Sequence, residues 1–123
     1  MSKHENVFQA LEKIFHEPSR LAIMSALCTA ADGMTFSELK TECSLTDGNL
    51  NRHLKVLKES KVVSVKKAFV DDKPRTTVTI TTKGLDRFND YLEALADVMK
   101  QARKALPKTK PATLPATGKT ATT

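Results

Sequence analysis

A chain of 123 residues, 40% of them apolar, has the size of one domain that buries a modest core without disulfide or metal staples. No run approaches the ~18–20 apolar residues of a membrane span and the first residues include Lys, His and Glu, so a cytoplasmic protein with no membrane partner is expected. Within the net charge of +6, positions 49–83 hold nine Lys or Arg against Glu59, Asp71 and Asp72, whereas 1–34 hold three against four and 84–106 four against four, a concentration that points to a polyanionic partner.

Val7, Phe8, Leu11, Ile14 and Phe15 recur at helical spacing and predict a first helix from about Lys3 to His16, stopped by Pro18. A second helix starts at Pro18 and Ser19, is apolar nearly all round through Leu21, Ile23, Met24, Ala26, Leu27 and Ala30, and ends at Asp32-Gly33. It is the expected core helix. Thr35 caps a short third helix, with Glu38 in capping-box position and Phe36 and Leu39 facing inward. After Cys43-Ser44-Leu45, Thr46 and Asp47 begin another, whose Leu50, Leu54 and Leu57 form one buried stripe. The connection is tight, so these two helices cross as a helix-turn-helix.

From Val62 the period changes to two. Val63, Val65, Lys67 and Phe69 share one face of a strand, Val78 and Ile80 one face of the next, and the polar loop Val70–Arg75 joins them as a wing. Thr82 caps a last helix in which Leu85, Phe88, Leu92, Leu95, Met99, Ala102 and Leu106 follow at steps of three and four, a seam for a second helix. The expected fold is therefore mainly α (α+β): a winged helix-turn-helix with a two-stranded β-wing and a long C-terminal dimerisation helix, over residues 1–106. Residues 107–123 form a Pro/Thr/Ala/Lys tail too poor in apolar side chains to order itself. Its Leu114–Gly118 matches a cell-wall sorting pentapeptide, but only five residues follow and no apolar span is among them, so the match is read as chance.

Two motifs carry a family resemblance across about Lys13 to Ala96. Glu17-Pro18-Ser19-Arg20-Leu21-Ala22-Ile23-Met24 is similar to the Pro-x-Arg-x-x-Ile opening of the core helix in ArsR-type repressors. Lys73-Pro74-Arg75 through Lys83-Gly84 is similar to the wing-to-helix segment of MarR-type proteins, with Ile80 at a leucine position. The chain thus resembles small stand-alone winged-helix regulators, which implies a homodimeric transcription factor and leaves room for a small-molecule effector in a crevice whose lining the sequence does not name. The metal-sensing branch uses a Cys-x-Cys pair where this chain has only Cys43, so no metal and no cofactor are expected.

On the helix 47–59, Asn49, Asn51 and Arg52 are the candidates for base reading, because an amide grips adenine and a guanidinium grips guanine with two hydrogen bonds each. Lys40, Thr46, Lys55 and Lys58 suit phosphate, and Gly48 lets the backbone approach one. On the wing, Arg75 is the minor-groove candidate, with Asp72 to orient it and Lys73 on the backbone. His53 is read as a partly packed ring, and Cys43 as a small filler rather than a thiol activated by Lys40. Val7, Phe8, Leu11, Leu85, Phe88, Leu92, Leu95, Met99, Ala102 and Leu106 are the candidate dimer interface. No catalytic constellation is present, so the chain is not expected to be an enzyme. The expected function is sequence-specific binding of double-stranded DNA by a homodimer, as a repressor on an inverted repeat; the alternatives are a sequence-tolerant architectural DNA binder and a winged-helix protein-contact module.

Overall fold

Pro18 divides the amino-terminal part of the chain. It leaves Glu17 in extended backbone (φ −146°, ψ 128°) and opens α1 (Pro18–Cys28) at a position where an N–H would be unpaired anyway. The Glu17 carboxylate caps α1 by accepting the Arg20 N–H at 2.8 Å. The computed structural model describes residues 11–107. Val7 and Phe8 of the expected interface, most of the expected first helix, and the tail from Lys108, lie outside them.

The described end of that first helix is not helical. Residues 11–17 form turns and bends in which the Phe15 and His16 N–H groups both reach the Glu12 carbonyl at 3.0 Å. Pro18 has no N–H to give the Ile14 carbonyl; Arg20 Nε supplies one instead at 2.7 Å, and its Nη2 reaches the Lys13 carbonyl at 3.4 Å. The apolar period survives because the turn drops Phe15 into the core between Phe88 and Tyr91, with ring centroids 5.3 and 5.6 Å away. Arg87 ties the turn to the last helix through an ion pair with Glu12.

α1 ends at Cys28, four residues before the expected Asp32, because the Thr29 hydroxyl donates to the Ala26 carbonyl at 2.7 Å and closes the last turn. Gly33, at φ +92°, then turns the chain into a two-residue strand β1 (Met34–Thr35). Two residues carry no period, and the sequence did not disclose this strand. It corrects the two-stranded wing to a three-stranded antiparallel sheet of order β1-β3-β2, with Met34 opposite Val78 and Thr35 opposite Thr77.

α2 (Phe36–Cys43) begins with both bonds of the Thr35–Glu38 capping box and ends at Ser44 in the left-handed conformation (φ 54°). α3 (Asp47–Glu59) is capped by Thr46, whose hydroxyl oxygen accepts the Asn49 N–H at 3.2 Å. β2 (Val63–Val70) and β3 (Lys73–Ile80) are joined by Asp71 and Asp72 alone, both at positive φ (54° and 64°) as a twist-matched two-residue hairpin turn requires. The expected six-residue loop is thus corrected: Lys73, Pro74 and Arg75 belong to β3, and no Asp72–Arg75 ion pair exists among the described residues.

α4 (Thr82–Ala105) is capped by Thr81, one residue before the expected cap. The Thr81 hydroxyl accepts the Gly84 N–H at 2.9 Å and donates to the Lys61 carbonyl at 2.8 Å, which pins α4 to the end of the α3–β2 turn. Gly84 lies flat on that turn. Phe88, assigned above to a dimer seam, is instead buried beside Phe15 and Tyr91, so it has no surface to offer a partner; Leu11 and Leu95 also pack against this core. Leu85, Leu92, Met99 and Leu106, seven residues apart in turn, point outward with 40% to 61% of their surface exposed, and Ala102 is exposed as well. None of the helices among the described residues is long and apolar enough to cross a membrane.

A Cβ at Gly84 would strike the Val62 carbonyl group, with Val62 Cα only 2.9 Å away, whereas a Cβ at Gly48 meets nothing within 4 Å. Gly84→Ala is expected to cost about 1–3 kcal/mol or more and Gly48→Ala to be neutral or stabilising by up to about 1 kcal/mol, read from urea unfolding. Equal midpoints would refute the contact between α4 and Val62.

Candidate nucleic-acid interface

The rotation of α3 about its axis decides which of its side chains meet solvent. Leu50, Leu54 and Leu57 are buried, and Asn49, Asn51, Arg52, Lys55 and Lys58 are all exposed, together with Gly48. The exposed side is split along two edges. Asn51, Lys55 and Lys58 line a groove facing the hairpin, where they meet Lys67 and Thr76 above an apolar floor of Phe36, Leu54 and Val65. Asn49 and Arg52 lie on the other edge, one helical turn apart, with Arg52 Nη2 3.4 Å from Asn49 Oδ1. The three base-reading candidates are therefore not one cluster.

The remaining assigned residues fall around this face. Thr46 is engaged at its oxygen as the cap but keeps a hydroxyl proton to donate, and Lys40 forms a 2.8 Å ion pair with Asp47 at the start of α3. Asp72 is in the hairpin turn. Lys73 and Arg75 are exposed on β3, paired with Val70 and Ala68, on the sheet face opposite Lys67. Arg75 is thus not at the tip where the expected loop placed it. Cys43 packs half-buried against the core, and burial together with the Glu42 carboxylate pushes its thiol pKa up, the reverse of an activated thiolate.

Sequence reasoning missed the role of Arg20. Its guanidinium joins the 11–17 turn to the buried face of α3, with Nη1 3.1 Å from His53 Nδ1. His53 is 3% exposed; accepting from Arg20 at Nδ1 leaves its proton on Nε2, which faces Arg52 Nη2 at 3.5 Å. Arg52 Nη2 thus lies between this ring and Asn49 Oδ1, 3.4 Å from the latter. The only sequence signal was Arg20 within a motif known for its place, not its contact.

Burial holds the His53 pKa below its ordinary value; the Glu17 carboxylate, 3.9 Å away, opposes this, and the Arg52 and Arg20 guanidiniums add to it. The unfolded chain takes up this proton near pH 6.5 and the folded chain only at lower pH, so acidification between those points favours unfolding. Stability should fall as pH drops below about 6.5, and His53→Gln should flatten that part of the profile in thermal unfolding. An unchanged slope in His53→Gln would assign the acid sensitivity elsewhere.

This geometry recurs in known proteins. The model of the winged helix DNA-binding domain matches residues 19–99. An uncharacterized protein of Methanocaldococcus jannaschii is 36% identical over 88 residues, which cover 72% of this chain and 95% of that protein. The solved structure of a transcriptional regulator homologue from Pyrococcus horikoshii OT3 superposes with a TM-score of 0.72 at 31% identity, covering 80% of this chain and 97% of the other. The S. aureus MepR–DNA complex superposes with a TM-score of 0.63 at 18% identity, covering 83% and 82%. The chain belongs to the winged-helix DNA-binding domain family and has the fold of MarR-like transcriptional regulators.

Proposed function

We propose that this chain is a sequence-specific regulator that binds double-stranded DNA in the cytoplasm as a homodimer on an inverted repeat, and that it represses by occupying its operator. The observation that carries this reading is the orientation of α3: its leucines face the core, and amide and cationic side chains cover its free side. Asn49 and Arg52 on one edge suit base readout, and Lys55, Lys58 and Lys67 around the hairpin groove suit phosphate. The exposed heptad row on α4 supports self-association, since four large apolar side chains on one helical stripe match a helix–helix seam. A dimer so built sets two copies of α3 about 34 Å apart, one DNA turn. That the fold of S. aureus MepR, a neighbour in structure, is known in a DNA complex supports the same docking.

Arg52→Ala is expected to lose about 1–3 kcal/mol on the selected site and to relax preference at one position, whereas Lys58→Ala should weaken every duplex alike and reduce the salt slope by about one. Binding to an inverted repeat and to random duplex across a salt series reads both. Uniform loss in both variants favours an architectural binder, and no binding to any duplex favours a protein-contact module. Leu92→Asp with Met99→Asp, both at exposed positions, should give monomers in sedimentation without loss of fold; a retained dimer would place the interface elsewhere.

A further inference from the structure

Phe69 is 77% exposed, more than any other large apolar side chain among the described residues. It stands near the end of β2, opposite Pro74 of β3, one pair short of the Asp71–Asp72 turn. Directly paired residues of an antiparallel ladder share a face, so Phe69 and Pro74 form an apolar pair on the face that also carries Lys67 opposite Thr76 and, deeper, Val65 opposite Val78. Lys67 and Thr76 line the groove shared with Asn51, Lys55 and Lys58 of α3. The apolar tip is therefore an extension of the surface assigned to DNA, about 13 Å beyond Val65, the last residue of β2 that packs on the core.

We propose that Phe69, backed by Pro74, is a wedge that enters the minor groove beside the major groove taken by α3, parts a base step and kinks the duplex. The inference rests on the DNA-binding reading and adds to it how the wing engages. Charge selects the occupant. Lys67 shares the face of the pair and Lys66, Lys73 and Arg75 stand on the other face of the same hairpin, against Asp71 and Asp72 in the turn, so the hairpin attracts a polyanion and repels a second basic hairpin. The two carboxylates make the turn itself a poor phosphate contact. An apolar side chain flanked by cations is instead the composition that minor-groove wedges use, with the cations on phosphates and the ring between bases. A second copy of the chain already has a separate apolar surface in the α4 row.

The chain has no tryptophan, so Phe69→Trp introduces a single reporter. A duplex selected by the full-length protein from random-sequence DNA, labelled at both ends for energy transfer, reads the bend; sedimentation of the protein alone reads self-association. The native chain and Phe69→Trp are expected to kink the duplex within the 20–90° typical of such wedges, Phe69→Ala to lose most of that kink while still binding, and the new tryptophan to be quenched on saturation. Phe69 is exposed, so Phe69→Ala should unfold at the native temperature, and Phe69→Trp tests the same contact with the ring retained. The proposal falls if Phe69→Ala kinks the duplex as the native chain does, if the tryptophan emission does not change at saturating duplex, or if Phe69→Ala alone abolishes self-association. If the native chain selects no duplex, the DNA-binding reading falls with it.

Discussion

Three leucines at steps of four and three fix the rotation of α3, and every candidate DNA-contacting side chain on that helix takes its direction from them. Burying each of Leu50, Leu54 and Leu57 contributes about 1.5–3 kcal/mol, whereas the partly exposed Lys40–Asp47 pair at the start of the helix contributes about 0–1 kcal/mol. Apolar burial therefore decides the orientation, and the ion pair follows it. A turn of one residue, about 100°, would drive Asn51 and Lys55 toward the core and lift the leucines into water. The exposed Asn, Arg and Lys side chains are thus a by-product of packing in their direction, though not in their chemistry.

The leucines do not hold α3 alone, because His53 shares their face and needs a polar partner. Arg20 provides it, while satisfying the Ile14 carbonyl that Pro18 leaves without a donor and reaching that of Lys13 in the 11–17 turn. One guanidinium so answers two deficits: a helix that proline forbids and an imidazole that burial isolates. Hydrogen bonds to a charged group contribute about 1.5–3 kcal/mol, and removing the donor would leave buried acceptors unpaired. The turn at the amino-terminal side in this way braces the candidate interface, although none of its residues lies on it.

Much of this was legible in the sequence because helical period and capping chemistry are local. The Thr35–Glu38 box, the Thr46 cap and the leucine row all sit where spacing placed them. What failed was set by long-range contact. Leu11, Ile14 and Phe15 have helical spacing, yet Arg20 and the Phe88–Tyr91 pair hold them in a turn. A two-residue strand has no period to detect, and an Asp-Asp hairpin lacks the glycine that usually marks positive φ. Spacing predicts an apolar stripe on α4 but not what covers it: Phe88 packs within its own chain and Leu92 does not. At the site, the exposed residues were readable, and their division between two edges, which needs the positions of α1 and the hairpin, was not.

α4 presents the complementary problem. Phe88, Tyr91 and Ala94 are its last deeply buried residues, and from Leu95 to Ala105 it continues for about 16 Å with no residue fully buried. A segment of that length has marginal helicity by itself in water, so its persistence depends on propagation from the anchored half and on whatever covers Met99 and Leu106. The anchor is firm, since Gly84 against Val62 and Thr81 against Lys61 tie the helix to the end of α3. Rigid attachment at that point has a consequence for the proposed dimer: any partner that fixes the far end of α4 also fixes the direction of α3. In such a symmetric pair helix packing would set the spacing between the two α3 faces, so that discrimination between operator lengths would arise from residues that never touch DNA.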